Sequence, residues 1–363
     1  MMICDQAIAS ISELKPYQPG KPIDELQREL GLTNIIKLAS NENPLGPSEK
    51  VLTAIEQVSK DISRYPDGNG FLLKSALAEK YKLHAEQITL GNGSNDVLEL
   101  VARTFVSSAD EVIFSQYAFA VYPLVTQAIG ANSKIAAARD FGHDLDAMSS
   151  LINEKTKLIF IANPNNPTGT YIEITQLDDF LAIVPEHVIV VLDEAYLEYH
   201  EPEQDTVTWL QRYPNLVITR TFSKAYGLAG LRVGYSLSSS EIAELLNRVR
   251  QPFNVNSVAL AAATTALKDT AYLAKSKQFN DEGMAQLTAG FRQMGLNYIE
   301  SKANFVTVDV LMNGQMCYEK LLLQGVIVRP LANYGLPQHL RISIGLAEEN
   351  QRLLDALAQL SGK

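Results

Sequence analysis

The chain has 363 residues, with 41 acidic against 31 basic side chains and a formal net charge of −10. A length of that order suggests two domains, or one large domain with a smaller appendage, and 46% hydrophobic with 20% charged residues excludes disorder over most of it. The acidic excess argues against binding to nucleic acid or anionic lipid, which relies on clustered Lys and Arg; the densest basic stretch is only Arg248-Val249-Arg250.

The opening Met1-Met2-Ile3-Cys4-Asp5 lacks the basic start of a secretory leader. No apolar stretch approaches the ~20 residues of a membrane span. Cys4 and Cys317 form neither a CxxC pair nor a disulfide framework. A soluble protein of the reducing cytoplasm is expected.

Along the chain, short apolar runs end at polar or Gly/Pro-rich turns and are followed by helix-like stretches. Ile88–Leu90 runs into Gly91-Asn92-Gly93-Ser94, after which Val97, Leu100, Val101 and Phe105 fall at helical spacing. Val112–Phe114 leads to Ser115-Gln116-Tyr117, and Leu158–Ala162 to Asn163-Pro164-Asn165-Asn166-Pro167. Val188–Leu192 ends at Asp193-Glu194, and Leu216–Thr219 ends near Thr221-Phe222-Ser223-Lys224. Such runs alternating with helices predict an α/β fold, a mostly parallel sheet between helices. Ligands bind beyond the carboxyl ends of such strands.

Beyond Tyr235 the pattern changes. Helices are expected over Glu241–Arg250 and Ser257–Leu267, then strands over Phe305–Val310, Val326–Val328 and Leu340–Ile344. We therefore expect a large domain over 46–255, with a smaller αβ domain formed by 1–45 and 256–363.

Several chemistries have no motif here. There is no GxGxxG, GxxxxGK[ST] or GxSxG sequence, and His84, His143, His187, His200 and His339 lack metal-ligand spacing. What remains is polar residues at predicted strand ends. Lys224 sits among apolar and Gly-rich neighbours, where an amine can lose its proton and condense with a carbonyl. Thr221, Ser223 and Arg232 offer phosphate contacts beside it. The turn Gly91–Asp96 opens a helix whose unpaired N–H groups can hold a phosphate. Taken singly these features are weak, since Asp193 could be a helix cap and the Asn/Pro run a plain turn.

Together, the sequences NPNNPTG, DEAY and SKAYGLAGLRVGY resemble the fold-type I aminotransferases that use pyridoxal phosphate, over nearly the whole chain. The segments Ala39–Ser48, Arg64-Tyr65-Pro66-Asp67 and Leu340–Gly345 resemble the histidinol-phosphate branch of that family. The resemblance implies that Lys224 attaches to the cofactor and moves protons, and that Asp193 pairs its ring nitrogen. It further implies that Asn166 and Tyr196 bind the phenolic oxygen and that Tyr117 stacks on the ring. Gly93, Ser94, Asn95, Thr221, Ser223 and Arg232 would hold the phosphate. Tyr65 would reach a neighbouring subunit's cofactor, which implies a homodimer with shared active sites. Arg341 would bind the substrate's anionic end, with Arg329, Tyr17 and Asn43 contributing. One departure is Ser94-Asn95-Asp96, where the family often has Ser-Asp-Glu; because backbone amides supply much of that cradle, little consequence is expected.

The activity so implied is transamination in histidine biosynthesis. Histidinol phosphate and 2-oxoglutarate would give imidazole acetol phosphate and glutamate. Two rivals share the scaffold: an aromatic amino acid aminotransferase, whose ring Tyr17, Tyr65 and Tyr117 could equally serve, and a threonine-phosphate decarboxylase.

Overall fold

The computed structural model describes residues 3–200 and 204–361, with the side chains of Cys4, Asp5 and Ser361 left aside; Met1 and Met2 lie outside the described residues. A short strand β1 (Ile36–Lys37) precedes the main sheet. That sheet comprises β2 (Ile88–Gly91), β3 (Glu111–Ser115), β4 (Asn132–Ala136), β5 (Thr156–Ala162), β6 (Ile189–Asp193), β7 (Leu216–Thr221) and β8 (Gly234–Leu237). Its order is β2-β8-β7-β6-β5-β3-β4. The five strands from β7 to β4 are mutually parallel, and β8 runs antiparallel to both its neighbours.

The runs read as strands from the sequence all lie in these sheets. The polar β4 and the short β8 were not expected. β4 is an edge strand with mostly exposed side chains, Asn132-Ser133-Lys134-Ile135-Ala136, so it carries no apolar run to read.

Alternation along each strand sends side chains to two different cores. Ile159 and Ile161 of β5 join one core, with Leu73, Phe180 and Ala263. Leu158 and Phe160 join the other, with Leu98, Tyr122 and Leu246. Helices therefore cover both faces, as expected for a mostly parallel sheet. The Ala-rich helix Ser257–Leu267, expected with the smaller unit, is capped by Asn256 and buries Ala259, Ala262, Ala263 and Ala266 in the first of these cores. Small side chains allow it to approach the helix Glu49–Val58 closely.

A second, antiparallel sheet contains β9 (Tyr298–Ile299) and β10 (Phe305–Asp309). β11 (Val326–Ile327) pairs in parallel with β1, which ties the N-terminal segment to this part of the fold. β12 (Arg329–Leu331) and β13 (Leu336–Ser343) complete the sheet, in the order β12-β13-β10-β9. Its own core gathers Leu287, Phe291, Leu321, Val306, Ile342 and Leu353. Among the described residues no helix is long and apolar enough to cross a membrane.

The same alternation governs the charged residues at the ends of β6 and β7. Asp193 and Thr219 are register partners facing one side. Glu194 and Arg220 therefore face the other, where they form a buried ion pair at 2.8 Å. Arg220 also meets Asp205 at 2.8 Å, and Thr206 donates to Glu194 Oε1 at 2.6 Å. Replacing Arg220 with Met should cost about 3–5 kcal/mol, because Glu194 would remain buried without its cation. Urea unfolding of the variant checks this, and an unchanged midpoint would contradict it.

Candidate active site

A cavity opens at the carboxyl ends of β5, β6 and β7, between the two sheets, and is lined by residues far apart in sequence, among them Ser94, Phe119, Asn166, Asp193, Tyr196, Lys224, Arg232 and Arg341. The N-terminal segment closes one side with Tyr17, Ser40 and Asn41.

Lys224 follows β7 and is half-buried; its Nζ donates to the carbonyl of Ser40 at 3.2 Å. Burial, reinforced by the nearby guanidinium groups of Arg341 and Arg232, lowers its pKa to about 7 against the opposing pull of Glu42 and Asp193. A neutral amine near physiological pH is a nucleophile and a base.

Asp193, the last residue of β6, is buried. Its Oδ2 accepts from the Tyr122 hydroxyl at 2.8 Å and its Oδ1 from Thr219 at 3.0 Å. Burial raises its carboxyl above the usual range, and these hydrogen bonds oppose that rise.

Tyr196 lies beside the Lys224 ammonium position, 5.6 Å from Nζ to the ring centroid. Its hydroxyl oxygen accepts from Asn166 Nδ2 at 3.1 Å and from Asn41 Nδ2 at 3.0 Å. With both amides donating, the phenol's own proton is left to be given into the cavity. Asn41 adopts φ 54°, a left-handed turn position that asparagine tolerates. Ser343 holds it there, its hydroxyl accepting from the Asn41 amide at 2.7 Å.

Arg341 stands on β13 and is buried. It donates to Asn166 Oδ1 at 2.6 Å and to the Ala39 carbonyl at 2.8 Å, while its Nε has no partner. These acceptors are neutral, and among the described residues no carboxylate pairs with Arg341, Arg329 or Arg232. A buried cation without a counter-ion is costly unless an anion completes it. Arg329 is the cross-strand neighbour of Arg341, and its guanidinium lies 5.4 Å from the ring centroid of Tyr17. It stands behind Tyr17 and does not itself line the cavity.

The opposite end of the cavity is a second anion site. The helix Ser94–Phe105 starts there with no side-chain cap, so the first N–H groups of Ser94 and Asn95 are available. Gly93 has φ 84°, and a Cβ on it would meet the Arg232 guanidinium at 2.5 Å. A Cβ at Gly234 would collide with the Ser94 amide nitrogen. Bare backbone at both positions keeps the cradle open. Arg232 donates to Ser223 Oγ at 3.3 Å, and Thr221 Oγ1 accepts from the Ser223 amide at 3.1 Å. Cationic Arg232, hydroxyls and free amides at one end, with a buried carboxylate and a low-pKa lysine between the ends, fit pyridoxal phosphate.

Three residues expected at the site, Tyr117, Asn43 and Arg329, are not among those that line the cavity. Tyr117 does not line the cavity; its ring packs on Phe141 at 6.0 Å, and the aromatic that the same loop sends to the cavity is Phe119. The Tyr117 carbonyl accepts from Asn165 Nδ2 at 3.0 Å. Asn43 does not line it either. Its amide donates to the Ala225 carbonyl at 2.9 Å, to Ser276 at 2.9 Å and to Tyr272 at 3.2 Å, so it anchors the N-terminal segment beside Lys224. Tyr65 lies outside this cavity, 83% exposed and stacked on Phe253 at 4.8 Å.

A family model described as aminotransferase class I and II matches residues 33–357. The chain is 58% identical over 354 residues to histidinol-phosphate aminotransferase 2 of Pseudomonas fluorescens, with 96% of each chain covered. It is 56% identical over 362 residues to histidinol-phosphate aminotransferase 1 of Mannheimia succiniciproducens, with 99% of each covered. Among solved structures, histidinol-phosphate aminotransferase from Sinorhizobium meliloti in complex with pyridoxal-5'-phosphate is similar at a TM-score of 0.90 and 28% identity, over 98% of both chains.

Proposed function

Because this chain belongs to the class I and II aminotransferases, and within them to the histidinol-phosphate aminotransferases, we propose that its site transfers the amino group of histidinol phosphate to 2-oxoglutarate. The observation that carries the substrate is Arg341, a buried cation in the cavity wall with no carboxylate partner among the described residues. A planar, permanently charged fork accepts both a phosphate and a carboxylate. That dual capacity suits an enzyme that must take histidinol phosphate in one half-reaction and 2-oxoglutarate in the other.

When bound, pyridoxal phosphate supplies a carbonyl for the amine and an electron-poor ring that stabilises negative charge at the substrate Cα. The chain's own groups then divide the work. Arg232, Ser223, Thr221 and the amides of Ser94 and Asn95 hold the cofactor phosphate. Asp193 keeps the proton on the ring nitrogen. Asn166 and Tyr196 bind the phenolic oxygen, and Asn41 fixes Tyr196. Phe119 covers the ring. Nζ of Lys224 would carry the cofactor, and as a neutral amine it would take the proton at the substrate Cα. Arg341, oriented by Asn166 and Ala39, receives the substrate's anionic end.

The assembly is a homodimer with shared sites. Support comes from Tyr65, 83% exposed with Phe71 at 68%, Leu72 at 71% and Ile62 at 67% on the same part of the chain. A partner subunit would take these large apolar side chains out of water. We assign 46–255 to the cofactor-binding body, together with the helix Ser257–Leu267, and 1–45 with the remaining C-terminal residues to the smaller one. The acidic, cysteine-poor chain acts in the cytoplasm in this reading.

The test compares histidinol phosphate and phenylalanine as amino donors with saturating 2-oxoglutarate. A preference of about a hundredfold in kcat/KM for histidinol phosphate is expected, or about 2.7 kcal/mol of differential transition-state binding. Equal or better use of phenylalanine would make this an aromatic aminotransferase. Carbon dioxide release from threonine phosphate would make it the decarboxylase.

A further inference from the structure

Tyr122 is the largest side chain touching the cavity's carboxylate, and the roles given above leave it unused. It stands on the helix Val121–Ile129 and is fully buried. Its ring stacks parallel on Phe160 at 4.5 Å and meets Phe119 edge-on at 5.9 Å. Those contacts fix the ring plane and so the direction of the hydroxyl, which donates to Asp193 Oδ2 at 2.8 Å.

A carboxylate offers about four lone-pair sites. Tyr122 and Thr219 occupy one on each oxygen of Asp193, the Ala195 backbone amide also donates to it, and all three are neutral donors. No lysine, arginine or histidine forms an ion pair with Asp193 among the described residues. Structure alone does not call for a buried carboxylate held in this way, because an apolar residue would pack there at lower cost. The arrangement instead leaves lone-pair capacity, on an oriented anion, for a cationic N–H reaching it from the cavity that it lines.

We propose that Tyr122 is a positioning residue for the reaction: its hydroxyl aims Asp193 at the ring nitrogen of the cofactor and favours the charged carboxylate there. This rests on the assignment of Asp193 made above. Tyr122 thus acts through Asp193, and through Phe119 it also sets the ring that covers the cavity.

Tyr122→Phe keeps both ring contacts and removes only the hydroxyl. The experiment measures the affinity of the cofactor-free protein for pyridoxal phosphate and for its 1-deaza analogue, in which carbon replaces the ring nitrogen. The wild type should prefer pyridoxal phosphate. In Tyr122→Phe that preference should shrink about tenfold, the scale of one hydrogen bond to a charged group, while the analogue binds within about twofold of wild type. With the cofactor saturating, kcat should fall and the KM for the amino donor stay near its wild-type value. An unchanged preference, or an equal loss of affinity for both ligands, would reduce Tyr122 to a packing residue and overturn the proposal. If the wild type itself binds both ligands equally, the assignment of Asp193 fails instead.

Discussion

Lys224→Ala is expected to lose turnover by about 10⁴-fold or more, the upper end of what a positioned general base contributes, equivalent to about 5.5 kcal/mol of barrier. The protein should still fold and still bind pyridoxal phosphate without a covalent link, because the phosphate cradle at Gly93–Asn95, Ser223 and Arg232 is untouched. Its thermal stability should not fall. Below about pH 7, where Lys224 is charged, burial and the field of Arg341 and Arg232 disfavour that charge, so removing it relieves an unfavourable interaction. The sign with pH follows from the same environment. Lowering the pKa to about 7 leaves the amine protonated and inert below that value and neutral above it. Labelling of Lys224 by an amine-specific reagent in the cofactor-free protein should therefore rise through a midpoint near pH 7, well below the 10.5 of an ordinary lysine. Full activity in Lys224→Ala, or a labelling midpoint near that of an ordinary lysine, would remove Lys224 from the reaction.

How much of this could be read from the sequence depended on whether the signal was local. Lys224, Asp193 and Asn166 lie at or a few residues beyond the ends of apolar runs, but each was weak alone; it was the joint occurrence of NPNNPTG, DEAY and SKAYGLAGLRVGY that singled them out. Arg341 was legible only through its motif, since it lies in the middle of β13 and its partners Asn166 and Ala39 are 175 and 302 residues away. Tyr122 was missed because it reads as one more large residue on a buried helix face. Nothing within a helical turn reveals that its hydroxyl meets a carboxylate 71 residues further on. In the stretch Asn41-Glu42-Asn43 the two asparagines look interchangeable. The left-handed turn at Asn41 decides between them, sending its side chain to Tyr196, whereas Asn43 is drawn to Ala225 and Ser276. Tyr117 and Phe119 pose the same problem: two aromatics in one loop, of which Phe119 lines the cavity.

Asp193→Ala should lower kcat by about a thousandfold, or about 4 kcal/mol, with the cofactor saturating. The reasoning starts from electrostatics. Burial disfavours the charged carboxyl, and hydrogen bonds from Tyr122, Thr219 and the Ala195 backbone amide counter it. Without the carboxylate no anion remains at the end of β6 to hold a proton on the ring nitrogen, because Glu194, the adjacent acid, points to the opposite face and is committed to Arg220. An electron-poor ring then becomes a poorer acceptor for the charge that develops at the substrate Cα. Substrate affinity should change far less, since Arg341 and its supports Asn166 and Ala39 do not touch Asp193 in this structure. The loss should therefore appear in kcat with KM for histidinol phosphate near its wild-type value, the pattern of an interaction made in the transition state alone. Asp193→Glu should not restore the rate in full, because the extra methylene moves the oxygens away from the donors Tyr122 and Thr219 that orient them. Steady-state kinetics of the two variants, with circular dichroism to show that both are folded, decides the matter. A near-normal kcat in Asp193→Ala would mean that the ring works without its proton, and the task of Asp193 and its two hydroxyl donors would have to be sought elsewhere.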